Sequence, residues 1–152
     1  PVDANPDAMA DEWSGDIGVG CKYFSQDAVI NLAPAAGIAL DAAMTPAEKL
    51  KAVQQLAERG DAQALAIFRD IGVYLGHTLP LYATVYDLKH LLVLGRVASG
   101  AGGEVIVAEC RRVLAEEYPA LAVSVTLPDE AFRRVGQSMA AASLPTASLP
   151  EV

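Results

Sequence analysis

Between Asp61 and Asp87 the apolar residues Ala64, Phe68, Ile71, Leu75, Leu79, Tyr82 and Tyr86 recur at steps of three and four. At about 3.6 residues per turn, that spacing lines them along one stripe of an α-helix, which must be buried against other elements. Pro80 is expected to bend this core helix, because an interior proline removes one backbone hydrogen bond and crowds the preceding turn. Gly72 and Gly76 stand at GxxxG spacing, so residues 71–86 invite comparison with a membrane span. Asp70 and Asp87 bracket the stretch and His77, Thr78 and Pro80 interrupt it, whereas a spanning helix needs about 20 apolar residues. A buried helix of a non-membrane domain is the expectation.

The long helix needs a sheet or further helices to cover it, and the flanking sequence supplies both. His90-Leu91-Leu92-Val93-Leu94 reads as a strand buried on both faces, as in a parallel sheet covered on each side, and Gly95 ends it. A loop holding Gly100, Gly102 and Gly103 leads into a helix over residues 104–118 with Ile106, Cys110, Val113 and Leu114 inward. Pro119 stops it, and Val123-Ser124-Val125-Thr126-Leu127 reads as a second strand. Residues 88–127 are therefore expected to form a strand, helix, strand unit with parallel strands and a right-handed crossover, an α/β arrangement. Two parallel strands make a poor sheet. The expectation is an incomplete domain whose missing strands belong to the N-terminal remainder of a longer polypeptide, with unpaired edges that favour a homo-oligomer or association over a well-behaved monomer.

Upstream, residues 1–11 read as a polar tail or cut end, and residues 12–142 as one unit. Trp13-Ser14-Gly15-Asp16-Ile17-Gly18-Val19-Gly20 is either a functional loop or a plain tight turn. A helix is expected from Ser25 to near Gly37, with Val29, Leu32 and Ala36 on one side. Thr45-Pro46-Ala47-Glu48 gives a capping-box start to a helix ending at Gly60. A last helix over residues 129–142 and a proline- and serine-bearing mobile tail over residues 143–152 complete the chain.

Composition narrows the function. Hydrophobic residues make up 53% of the 152, ample for a core, and the net charge of −8 repels nucleic-acid phosphates and anionic lipid. Neither nucleic acid nor membrane is expected as a partner. No basic region precedes an apolar run near the N-terminus, so a signal peptide is not expected. Cys21 and Cys110 lack CxxC spacing and read as free thiols in a reducing cytoplasm. His77 on the apolar helix reads as a hydrogen-bonded core residue and His90 as a strand-edge residue. Glu116-Glu117 and Asp129-Glu130 read as solvated helix ends, and Arg111-Arg112 and Arg133-Arg134 are too short for a basic tract.

The remaining chemistry lies in Gly95-Arg96-Val97-Ala98-Ser99-Gly100-Ala101-Gly102-Gly103, a glycine-rich junction between a strand and a helix. Backbone amides and the positive helix end at such a junction can hold a phosphate, a ribose or an adenine edge. The spacing matches neither GxxxxGK[ST] nor GxGxxG, and many such turns bind nothing.

The runs Gly60-Asp61-Ala62-Gln63-Ala64, Gly72-Val73-Tyr74-Leu75-Gly76 and Leu92-Val93-Leu94-Gly95 resemble the C-terminal part of ROK proteins (the repressor, open reading frame, kinase family) over residues 56–135. The resemblance implies an actin-like, ribonuclease H-like ATPase fold, and a parent sugar kinase, glucokinase-like, that uses ATP and Mg. It implies that Gly95, Arg96, Ser99, Gly100, Gly102 and Gly103 border the nucleotide, and that Ser14-Gly15 corresponds to the Ser-Gly step after the family's sugar-binding and zinc region. This chain has Arg96 where the family commonly has a second glycine and Leu88 where it has a proline, so the adenosine pocket is expected to differ. The family's phosphate loop, catalytic aspartate, sugar-binding Glu-His pair and cysteine-rich zinc motif have no counterpart here. No catalytic residue or Mg ligand is assigned, and the chain alone is expected to be inactive. The alternative under the same resemblance is a non-catalytic ROK module, the sugar-sensing part of a repressor or a degenerate association domain. A weaker third is an α/β interaction domain unrelated to ATP.

Overall fold

The computed structural model of the chain describes residues 1–128. The expected helix over 129–142, the tail over 143–152 and the pairs Asp129-Glu130 and Arg133-Arg134 lie outside the described residues.

Helix α3 (Pro46–Glu58) starts where the sequence says, with Thr45 and Glu48 closing a reciprocal capping box and Pro46 in the first turn. Asp61 then caps α4 (Ala62–Ala83), its Oδ1 accepting from the Gln63 and Ala64 amides at 3.0 and 2.9 Å. Helical structure continues through Pro80. Ala64, Phe68, Ile71, Leu75 and Leu79 are all buried, as the period requires. The stripe fades at its end: Tyr82 is half-buried and Tyr86, beyond the helix, is exposed.

Gly72 and Gly76 are interior to α4, where glycine is a poor helix former. Their reason is the approach of α5 (Gly100–Glu117), since a Cβ at Gly72 would stand 2.7 Å from the Ile106 carbonyl oxygen and one at Gly76 2.7 Å from Val113 Cβ. The small-residue spacing therefore serves helix packing in the core, and among the described residues no helix is long and apolar enough to cross a membrane.

Strands β1 (His90–Leu92) and β2 (Ser124–Thr126) pair in parallel, with Leu91 opposite Val125, and α5 is the crossover between them. This is the α/β unit the sequence predicts. Among the described residues the sheet has these two strands. Arg111 ties α5 to β2 by donating through Nε to the Val125 carbonyl at 2.8 Å.

Several expectations need correction. Strand β1 is shorter than residues 90–94 and is not buried on both faces: Leu91 is half-buried against the core, but Leu92 is 57% exposed. The crossover helix begins at Gly100 rather than residue 104, which moves Gly100, Gly102 and Gly103 from a loop into its first turns. The helix expected from Ser25 does start there, Ser25 capping α2 (Gln26–Leu32) by accepting from the Asp27 amide, but it ends at Leu32 rather than near Gly37, and a separate short helix, α1 (Cys21–Phe24), precedes it. Residues 1–11 do not project as a tail. The Val2 and Asp3 amides donate to the Gly18 carbonyl at 2.8 and 3.2 Å, and Ala10 bridges Ile17 antiparallel.

Candidate functional site

Gly95 sits just past the carboxyl end of β1 with φ of 103°, a conformation that L side chains rarely adopt. The chain can thereby leave the strand and wind at once into a short 3-10 turn, Arg96–Ala98, which buries Val97 and Ala98. Ser99 in extended backbone precedes α5. Helix α3 holds this turn from below through two side chains one helical turn apart. Gln54 Nε2 donates to the Arg96 carbonyl at 2.7 Å, and Glu58 Oε1 accepts from the Ala101 amide at 2.8 Å.

The sequence-predicted residues thus divide into two groups. Gly95 and Arg96 are exposed and border a groove of about 400 Å³ shared with Phe24, Gln26, Leu94 and Val97. Gly102 and Gly103 are buried and face inward: a Cβ on Gly102 would lie 2.6 to 2.8 Å from the Phe68 ring, and one on Gly103 2.6 Å from the Ala98 carbonyl carbon. Their lack of a side chain lets α5 press against α4 and against the preceding turn. Gly100 faces Glu58, whose carboxylate carbon would be 3.2 Å from an added Cβ. Ser99 makes no side-chain cap.

Glu58 decides what the helix end can do. An α-helix N-terminus attracts anions through unpaired amides and its dipole, and at α5 the chain's own carboxylate already fills that role. A phosphate would have to displace Glu58. The groove at Gly95, lying outside the carboxyl end of a parallel strand, is where ligands of open α/β sheets ordinarily sit. Phe24, Gln26 and Arg96 contribute an aromatic ring, an amide and a guanidinium to its lining. Sequence reasoning missed Phe24, Gln26, Gln54 and Glu58. The only signal was the four-residue spacing of Gln54 and Glu58 on the polar side of α3, which does not say what lies opposite.

The other candidates are placed as follows. His77 is hydrogen-bonded, as expected, but at the surface: Nδ1 lies 2.9 Å from the Tyr118 hydroxyl and Nε2 3.7 Å from Glu117. His90 is exposed on β1. Glu116 pairs with Arg112, which also reaches Glu109. Both thiols are free; Cys21 is exposed, while burial pushes the Cys110 thiol up to about 11. Ser14-Gly15 lies in a turn held by Asp11, whose Oδ2 accepts from the Ser14 amide at 2.8 Å, and Trp13 on that turn is 97% exposed. Among the described residues no three His, Cys, Asp or Glu side chains converge as metal ligands.

One ion cluster is structural. Lys22, almost wholly buried, bonds Asp27 at 2.9 Å and also Glu12, tying the turn after Ala10 to α2. The bonds to Asp27 and then Glu12 raise the lysine's pKa, and the same lysine holds Glu12 below its ordinary 4.5. Asp3, Asp11, Glu48 and Glu109 are lowered too, chiefly by the Tyr23 hydroxyl, the Ser14 amide, the Thr45 side chain and Arg112. Carboxylates with depressed folded-state pKa values contribute stability above their unfolded values and lose it as pH falls through the folded ones. The thermal midpoint should therefore hold from neutral pH down to near 4.5, the ordinary glutamate value, and then fall steeply. Melting curves between pH 7 and pH 3 check this, and Glu48→Gln should start lower and lose less on acidification.

No family model, curated protein or solved structure matches this chain.

Proposed function

We propose that the chain is the nucleotide-side, C-terminal part of a ROK-type sugar kinase with the actin-like, ribonuclease H-like fold, and that its Gly95 turn receives the adenosine of ATP. The observation that carries the reading is the left-handed Gly95 at the carboxyl end of β1, opening onto the groove lined by Phe24, Gln26 and Arg96. A strand-to-helix glycine turn with an aromatic and a guanidinium beside it suits a nucleoside better than a polyphosphate. In the parent protein the γ-phosphoryl would pass to a hexose hydroxyl, with the N-terminal remainder of the polypeptide supplying the phosphate loop, the catalytic aspartate and the Mg ligands. Phosphoryl transfer rests on positioning and charge stabilisation, so this chain alone should show no turnover. The outer edge of β1 and the exposed Leu92 suit pairing with that remainder or with a second copy.

Titration of the chain with adenosine, ADP and ATP tests the reading. The three should bind with similar affinity, because Glu58 stands where a phosphate would gain most. Gly95→Val strains a backbone of positive φ by about 1–3 kcal/mol and adds a branched side chain at the groove, so adenosine should bind at least about tenfold more weakly. Unchanged binding in Gly95→Val, or no saturable binding by the parent chain, counts against the assignment, as does transfer of phosphate to glucose by the chain alone.

Glu58 also favours a second reading, a non-catalytic ROK module: a helix end sealed by the chain's own carboxylate has no need of a nucleotide phosphate. A helix-turn-helix upstream would mark a repressor, and a phosphate loop with a catalytic aspartate a kinase.

A further inference from the structure

A second groove, of about 280 Å³, lies beside the C-terminal half of α4 and shares no residue with the groove at Gly95. Its walls are Asp3, Tyr23, Tyr74, His77, Thr78 and Leu81. We propose that it binds a small organic cation, an ammonium group carried on an apolar frame.

The chemistry of the walls carries this. Asp3 accepts from the Tyr23 hydroxyl and, at 2.8 Å, from the Asn5 amide, two bonds that hold its carboxylate ionised. Among the described residues no lysine, arginine or histidine pairs with it: Lys22 is taken by Glu12 and Asp27, Lys89 by Asp87, and Arg112 by Glu109 and Glu116. Its charge, solvent-accessible and hydrogen-bonded to Asn5 and Tyr23, has no described cationic side chain beside it. Asp70 acts on Tyr74 with the same sign as Asp3, and the whole chain carries −8. Such a field draws cations and repels anions.

The hydrogen-bonding groups agree with the field. The Tyr23 proton is committed to Asp3, and the Thr78 hydroxyl donates to the Tyr74 carbonyl at 2.7 Å, which leaves its oxygen an acceptor. His77 turns toward Tyr118 and Glu117. Apart from the Tyr74 hydroxyl, which can still donate, the groove thus presents acceptors. Tyr23 and Tyr74 meet edge to face, with centroids 5.7 Å apart and planes at 85°, so their relative orientation is set before any ligand arrives. Aromatic rings with a carboxylate beside them favour a cation over a neutral molecule of the same shape. Leu81, half-exposed, adds an apolar wall for the frame.

Choline and 3,3-dimethyl-1-butanol, which has the same shape without the charge, separate the charge requirement from simple apolar filling. Calorimetric titration of the 152-residue chain should show saturable choline binding, with the neutral isostere at least about tenfold weaker. Asp3→Asn keeps an acceptor for Tyr23 but removes the charge, and should weaken choline by at least about tenfold. Leu81→Lys, at a position tolerant of a long side chain, places a fixed cation in the groove and should weaken it as much while leaving the thermal midpoint near that of the parent. Lack of saturable choline binding by the parent chain, equal binding of the isostere, or unchanged affinity in a folded Leu81→Lys overturns the proposal. Loss of adenosine binding in Gly95→Val leaves this site untouched, so the two readings fail separately.

Discussion

Phe68→Ala should lower the unfolding free energy by about 3–5 kcal/mol, a large share of the 5–15 kcal/mol typical of a domain. Phe68 is fully buried on α4, and its ring fills the space left by the missing side chain of Gly102 on α5. The same contact makes the second half of the prediction. Gly102→Ala alone pushes a methyl into that ring and should cost about 1–3 kcal/mol, despite the better helix propensity of alanine. In the Phe68→Ala background the methyl enters the vacated space, so the second substitution should become neutral or stabilising. Urea unfolding of the two single variants and the double variant measures this coupling. Additive costs would mean that the ring and the glycine do not share one space.

Gly103→Ala should destabilise by about 3 kcal/mol, the upper end for overpacking, because its new methyl meets main chain. The Ala98 carbonyl carbon would be 2.6 Å away, and Ala98 belongs to the turn between Gly95 and α5, which cannot rotate aside as a side chain could. Gly95→Ala makes the contrast, since nothing lies within 4 Å of its added Cβ and only the positive φ opposes it, by about 1–3 kcal/mol. Thermal unfolding should therefore rank Gly103→Ala below Gly95→Ala, while adenosine titration should rank them the other way among folded molecules. If Gly95→Ala proves the more destabilising, the division between a packing glycine and a turn glycine is mistaken.

That division marks the limit of reading this chain as a string. A cluster of glycines between a strand and a helix is the same signal whether the residues admit a ligand or admit a neighbouring helix. Gly95 and Gly103 differ only in what stands opposite them. Asp3 is a similar case: among polar residues without a period it reads as part of a tail, yet Tyr23, twenty positions later, anchors it in a groove.

Local interactions were legible because they are encoded within a turn or two. Thr45, Pro46 and Glu48 set the start of α3, the three-and-four spacing from Ala64 to Leu79 set the buried face of α4, and two short apolar runs around an amphipathic helix set the parallel unit. The tertiary structure alone decided that Gly72 and Gly76 receive α5 and that Leu92 faces outward. It also decided that Glu58 seals a helix end 43 residues away. Periodicity and caps act through hydrogen bonds and side chains on one element, so they leave a pattern in sequence. The partner across a packed interface is fixed by chain closure and the fit of surfaces distant in sequence, and that leaves none.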